Sequence, residues 1–511
     1  MTTSGLRAVR FAILFCSLSS IASAQLISIK TVPLAQGDQF QIFPSNNLGM
    51  GSVSIATPDS LQDPFVNPAK GARLTGGGRF FSAPVVYSIS HGAGGGRSLP
   101  LAALARNGSW YGGFALALQQ VEPSRPPFDQ GGFNVVDRIG IADDVVAPIP
   151  NPDTRAHGNR YVFAMAGKVL PGGLSLGAAA LWSGLHALDG VDLLYAGSRR
   201  VEQTGYAMDV RLGLLKEWVG GRSLEAILLH NRFAATHDVT YADLFWDPAT
   251  QRTLQRARLE ENQDRTNTWG LHVEYERPMA QAGWRIGWLA TANLMSHPKI
   301  PTYEIANVPA IPRDPGRSAA YNLGVGISKT RGMGTFAIDA VFEPIWSYTW
   351  ADAAAPVATA PGDTIAAGGK TVENHFRFSN ALIRMGAGRD IELGGGLGKA
   401  AGVQFGLIVR SVRYRLAQTD HVQALARTLT TGWLEWTPTW GLSLRFPEFE
   451  IRYRGRVTHG AGRPGGLSFP VLWSRDVALA GGSILAAPNG PLNLTDVNTA
   501  THQISLSVPL R

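Results

Sequence analysis

Through much of the chain, apolar residues take turns with small or polar ones at a spacing of two, the period of a strand whose two faces meet different surroundings. From Tyr206, one face carries Tyr206, Met208, Val210, Leu212 and Leu214, and the other Ala207, Asp209, Arg211 and Gly213. Further on, Trp269, Leu271, Val273 and Tyr275 oppose Gly270, His272, Glu274 and Glu276. Trp284, Ile286, Trp288 and Ala290 oppose Arg285, Gly287 and Thr291, with Leu289 as an exception. The rule recurs at Tyr321, Leu323, Val325 and Ile327, at Phe449, Ile451 and Tyr453, and at Ile504, Leu506, Val508 and Leu510.

Alternation alone also suits a soluble sandwich, so the connections have to discriminate. Tight turns at Pro171-Gly172-Gly173, Val219-Gly220-Gly221, Arg331-Gly332 and Phe446-Pro447-Glu448 alternate with long polar or proline-rich connections. The long ones cover about 121–159, 184–203, 235–266, 295–319, 347–373, 417–431 and 459–500, and 387–400 is a longer connection in a short-turn slot. Short turns at one end and long loops at the other are what a bacterial outer-membrane barrel requires. The predicted fold is therefore all-β, a transmembrane antiparallel barrel of about 14–16 strands over 71–511, depending on whether 79–107 forms a full spanning hairpin. Trp182, Trp218, Trp284, Trp346, Trp433 and Trp440 fall near predicted strand ends, where an interfacial girdle sits.

Composition agrees. Charged residues are only 16% of the chain, and it holds 59 glycines and 13 tryptophans. Arg7 and Arg10, an apolar run from Phe11 to Leu18 and then Ala22-Ser23-Ala24 read as a cleaved export signal over 1–24. The single cysteine, Cys16, lies inside it, so a mature chain from Gln25 has no thiol for a disulfide, metal site or nucleophile. A formal charge of +8, two units of it from the leader arginines, with no Lys/Arg run, argues against nucleic-acid binding. The expected surroundings are outer-membrane lipid and the barrel-assembly machinery of a Gram-negative cell, although the chain ends Pro509-Leu510-Arg511 where many barrels end in an aromatic residue.

Before the barrel, Gly49-Met50-Gly51 is followed by Thr57-Pro58-Asp59-Ser60, a predicted helix start, and by Asn67-Pro68-Ala69, which stops it. This stretch resembles the start of the FadL-type outer-membrane barrels, which include transporters of long-chain fatty acids and other hydrophobic compounds and PorV-like relatives that serve secretion. The resemblance implies that 25–70 folds into the lumen as a hatch, with Gly49, Met50, Gly51, Asn67, Pro68 and Ala69 at its seat, and that a hydrophobic small molecule crosses. The family's usual fourteen strands stand against a count nearer sixteen. The alternative is a non-transporting scaffold barrel in secretion or surface assembly.

Other candidate chemistry is sparse. Arg452, Arg454 and Arg456 share a lumen face beside Glu450 and form either a basic constriction for anionic head groups or a structural ion-pair network with Glu450, Asp209, Glu274 or Asp339. Arg410, Arg413, Arg415 and Arg445 are nearby, on mixed faces. Phe245, Trp246, Leu472 and Trp473 are the apolar residues of long loops suited to ligand capture. His272, Glu274 and Glu276 form a polar lumen stripe with no nucleophile among them. Gly394-Gly395-Gly396-Leu397-Gly398-Lys399 departs from a phosphate loop at Leu393 and Ala400. No cofactor, metal or catalytic set is expected.

Overall fold

The computed structural model describes residues 27–510 except 28, 36, 38, 40–42, 75–76, 124–155, 190, 192–197, 297–298, 306–307, 310–315, 354, 394–399 and 465–493. Sixteen strands close into one antiparallel barrel. Strand β1 comes in two pieces, Gly78–Ser82 and Val85–Ile89, and is followed by β2 Gly95–Asn107, β3 Trp110–Glu122, β4 His157–Leu170 and β5 Leu174–Leu185. Next come β6 Ser198–Trp218, β7 Arg222–Asp247, β8 Arg252–Pro278, β9 Trp284–Ser296, β10 Gly316–Arg331 and β11 Gly334–Asp352. The last are β12 Lys370–Glu392, β13 Ala400–Asp420, β14 Leu425–Arg445, β15 Glu450–Pro464 and β16 Leu494–Leu510. Closure is direct, Gly78 of β1 pairing with Leu510 of β16 on one side and with Ala105 of β2 on the other. Region 79–107 is thus a full hairpin. Its register runs unbroken past Ala83-Pro84, where proline removes a ladder donor.

The two faces of the wall are reversed relative to a soluble protein. Leu212 and Leu323 are each 54% exposed on the outside, whereas Asp209, Glu274 and Asp339 are 5%, 6% and 1% exposed within. Apolar side chains that face outward on every side find their solvent in a bilayer, and a closed sheet leaves no edge of backbone polar groups to lipid. Among the described residues no helix is long and apolar enough to cross a membrane. The exception noted at Leu289 has a cause: it faces the lumen and packs against Ile55 of the N-terminal segment and Val341.

The predicted tight turns, and the unanticipated Gly108-Ser109, lie at the end where β1 begins and β16 stops. Two expected long loops are strands instead. Residues 235–266 continue β7 and β8 in register out to Asp247 opposite Arg252, and 417–431 continue β13 and β14 out to Asp420 opposite Leu425. At 26 and 27 residues, β7 and β8 are far longer than the roughly 9–11 residues that cross a membrane. Their outer parts stand in water, where polar residues on both faces are no obstacle to pairing; polarity there had read as loop. Phe245 and Trp246 accordingly sit on β7, not in a loop. Trp433 also departs from the girdle expectation. It faces the lumen, where its indole nitrogen donates to Glu435 Oε1 at 2.8 Å.

Candidate functional site: the N-terminal segment inside the lumen

Residues 43–73 lie against the inner wall of the short-turn half, and the wall is shaped for them by glycine. A Cβ on Gly213 of β6 would stand 2.1 Å from Asn67 Oδ1, and one on Gly177 of β5 would stand 2.6 Å from the Pro68 carbonyl carbon. On the opposite wall, a Cβ on Gly406 of β13 would meet the Gly51 nitrogen at 2.1 Å, and one on Gly386 of β12 the Met50 oxygen at 2.2 Å. Ile55 lies over Gly287 of β9 and Gly326 of β10 in the same way. At Gly177, Gly287, Gly386 and Gly406 backbone therefore rests on backbone, and Gly213 and Gly326 admit the side chains of Asn67 and Ile55.

Both predicted motifs occupy such seats. Asn67 Oδ1 accepts from the Ala69 N–H at 3.0 Å, capping the 3-10 turn Pro68–Arg73, while its amide donates to Glu225 Oε2 at 2.8 Å on β7. The Tyr111 hydroxyl of β3 donates to Ala69 O at 3.2 Å and Leu176 O at 2.8 Å. Gly51, at φ +68 in the left-handed region, ends the 3-10 turn Leu48–Met50 and donates its N–H to Thr439 Oγ1 at 2.9 Å, which in turn donates to Gly49 O. Asp339 Oδ2 accepts from Ser54 N at 2.7 Å. The predicted helix is shorter than expected: it spans only Asp63–Val66, and Asp59 instead accepts from Leu61 and Gln62, holding a turn.

A charged cluster ties this half together. Lys70 Nζ lies 2.9 Å from Glu225 and 3.5 Å from Asp63, and Arg73 reaches Glu217 at 3.0 Å. Glu225, His272 and Glu274 converge closely enough to hold a metal ion, but Lys70 already places an ammonium on Glu225. Burial pushes the Asp63 carboxyl up to about 6 against the pull of Lys70. Burial also opposes the charge on Lys70, yet Asp63, Glu225 and Glu274 outweigh it and hold the ammonium well above its ordinary range. Beneath the segment a polar vestibule of about 730 Å³ opens between Arg73, Glu217, Arg222, Glu276, Arg285 and Arg445.

The loop-side half of the lumen is different. There Ile27 and Ile29 pack among Met295, Ile345, Phe376, Phe378, Tyr414 and Leu416, an apolar and aromatic patch on the inner wall. Around it Tyr414 donates to Thr31 O at 2.8 Å and Lys30 pairs with Glu435 at 3.0 Å; beyond, Leu34 bridges Gly462 of β15, the Ala35 N–H donating to Gly462 O and the Gly462 N–H to Pro33 O, each at 2.8 Å. Burial outweighs Glu435 and lowers the affinity of Lys30 for its proton. Between the halves, Phe43 stacks on Phe65 at 4.2 Å and meets Phe163 edge-on, while Phe65 meets Phe81.

In the basic cluster, Arg452 shares a carboxylate with Arg445. Glu450 Oε2 accepts from Arg452 at 2.6 Å, and its other oxygen from Arg445 at 2.9 Å. Arg454 is buried against Gly441 and donates to Leu442 O and Tyr453 O, each at 2.9 Å; Arg456 is half-buried farther along β15. The other acids have separate partners, Asp209 with Arg211 and Asp339 with Arg384. Leu472 and Trp473 lie outside the described residues, as do the side chains of Phe245 and Trp246. Sequence reading missed the inner-wall glycines and the patch around Phe376. The signal was present: Gly213, Gly287, Gly324 and Gly326 all fall on the polar side of the alternation, where an empty position invites close approach.

A closed barrel with an apolar exterior and a polar interior is a membrane-spanning β-barrel, and the architecture fits an outer-membrane location. No protein-family model matches the chain, and no curated protein matches it. Among solved structures, it is similar to a Pseudomonas aeruginosa FadL homologue, at 11% identity over 93% of this chain and 100% of that one, with a TM-score of 0.46. The Ralstonia pickettii toluene transporter TbuX is 10% identical over 92% and 100% of the chains, with a TM-score of 0.40. For the Pseudomonas putida toluene transporter TodX, the figures are 9%, 91% and 97%, and 0.38. These likenesses concern barrel architecture alone.

Proposed function

We propose that this chain is an outer-membrane barrel through which a hydrophobic or amphipathic small molecule passes, with residues 25–70 serving as a hatch. The observation that carries this reading is the patch formed by Met295, Ile345, Phe376, Phe378, Tyr414 and Leu416. A pore for hydrophilic solutes has no use for a buried aromatic surface inside its lumen, whereas an apolar ligand gains about 25 cal/mol per Å² there. In the closed state Ile27 and Ile29 cover the patch, so a ligand binds by taking their place. The barrel wall carries no chemistry in this scheme; transfer runs from the patch past the segment into the polar vestibule.

The test is binding and permeation of a fluorescent long-chain fatty acid with the full-length protein in nanodiscs and liposomes. Saturable binding that falls at least tenfold in Phe376→Asp, with heat-modifiable barrel mobility retained, is the expected result. A filled lumen also favours a second reading, a sealed barrel that serves as a docking partner in secretion or surface assembly. If the intact protein neither binds nor passes the probe and Phe376→Asp changes nothing, that second reading replaces the first.

A further inference from the structure

The outer wall carries a site of its own. Strand register aligns outward side chains in rows around the barrel, and one row runs Trp269, Leu294, Ala319, Trp346, Arg377 and Arg415 over β8 to β13. One pleat nearer the loop end, Arg317 lies opposite Tyr348, which lies opposite His375. Together these rows bound an outward groove of about 1090 Å³.

Its position follows from strand geometry. From Phe336 to Trp346, the outward side of β11 is Phe336, Ile338, Ala340, Phe342, Pro344 and Trp346, all apolar. Ten residues at roughly 3.3 Å each, tilted about 40°, climb about 25 Å, the height of the apolar band of an outer-membrane barrel. Trp346 thus stands at the loop-side edge of the apolar band, and Arg377 directly opposite it, with Arg415 beyond, stands at head-group level.

Arg377 and Arg415 lie directly opposite each other on β12 and β13, and both are exposed. Like charges placed so oppose pairing of the strands unless an anion lies between them. Among the described residues no carboxylate forms an ion pair with Arg317, Arg377 or Arg415. Glu373, outward on the same strand, is already held by Lys370 at 2.6 Å and by the Tyr348 hydroxyl at 3.0 Å. Arg317 is steadied over the Tyr348 ring, 5.6 Å from its centroid.

We propose that this groove binds a membrane lipid through its head-group phosphate, clamped by Arg377 and Arg415 with Arg317 as the third cation. Guanidinium forks match phosphate oxygens in pairs, and the acyl chains lie on Trp269, Leu294 and Trp346. The site is independent of whatever crosses the lumen.

The full-length barrel in detergent is titrated with phosphatidic acid and with phosphatidylcholine of identical acyl chains, bound lipid being counted by native mass spectrometry. At least a tenfold preference for phosphatidic acid is expected, falling to within twofold in the Arg377→Gln/Arg415→Gln double variant. Inorganic phosphate at equal concentration leaves the lipid bound. Equal binding of the two lipids by the wild type overturns the proposal, as does a preference that survives in the double variant, or displacement by free phosphate. If the double variant fails to form a heat-modifiable barrel, Arg317→Gln and the wild-type lipid comparison decide.

Discussion

The N-terminal segment meets the barrel in two unlike ways. In the short-turn half, residues 43–73 press their backbone onto glycines of the wall and fix themselves with Asn67, Lys70 and Asp339. In the loop-side half, Ile27 and Ile29 meet an aromatic patch, with Lys30 and Thr31 tied beside them, and the chain is next fixed where Leu34 bridges Gly462. The first contact is specific in shape and charge, so it has one geometry and fails abruptly. The second is greasy and non-directional, so any apolar molecule of suitable size competes for it. On the proposed function, the first contact is a deep anchor and the second a displaceable tip, a division that would let a ligand bind before the lumen opens.

The anchor is tested most severely by Lys70→Met. Removing one partner of a buried ionic cluster typically costs about 3–5 kcal/mol, because Glu225 and Asp63 are left facing each other without their cation. Single-channel recordings should show a permanently raised conductance while the barrel itself stays heat-modifiable; unchanged conductance would mean that the anchor does not depend on this cluster. Asp63 gives the next effect, through pH. Docking raises its pKa from 3.8 to about 6, so docking takes up a proton. Its contribution is full below pH 3.8 and is lost as pH rises through 6, a span worth about 3 kcal/mol at most. Lys70 does not titrate in this range. The open fraction should therefore rise between pH 4 and 7 in the wild type and be flatter in Asp63→Asn.

How much of this was legible beforehand follows from where each signal resides. The barrel was readable because each wall strand sees lipid on one side and protein or water on the other, and Met208 against Asp209 or Leu271 against His272 records that difference in the chain. The same logic failed above the membrane. On the outer parts of β7, β8, β13 and β14 both faces meet water, alternation fades, and paired strand looks like loop. Asn67-Pro68-Ala69 was legible as punctuation, but its seat was not, since a lumen glycine such as Gly177 and a turn glycine such as Gly172 are the same letter. The patch was hidden for another reason. Phe376 and Phe378 share a parity that, on a membrane barrel, is expected to be polar, and only the pairing of β9 through β13 brings them to Met295 and Ile345.

Shape complementarity is isolated by Gly213→Val, which adds atoms where the Cβ alone would stand 2.1 Å from Asn67 Oδ1. Overpacking of this kind costs about 1–3 kcal/mol. The measurable consequence is faster hydrogen exchange in the Pro68–Arg73 turn, while the same change at Gly158, where a Cβ meets nothing nearer than 3.7 Å, should leave that turn untouched. Equal exchange in the two variants would show that the glycine seat is incidental.

The smallest effect concerns the tip and has the opposite sign. If Ile27 and Ile29 occupy the surface a ligand needs, then Ile27→Ser with Ile29→Ser removes a competitor, not a contact. Probe affinity should then rise, by about tenfold if roughly 1.4 kcal/mol of apolar burial no longer has to be displaced. Protection of residues 47–73 should not change, because none of their seats involves the tip. The two outcomes separate the halves cleanly. Tighter binding with the anchor intact makes the tip a placeholder for ligand, whereas weaker binding makes Ile27 and Ile29 part of the ligand's own site. Loosening of 47–73 along with the tip would show that the segment moves as one body, and the distinction drawn between its halves would be lost.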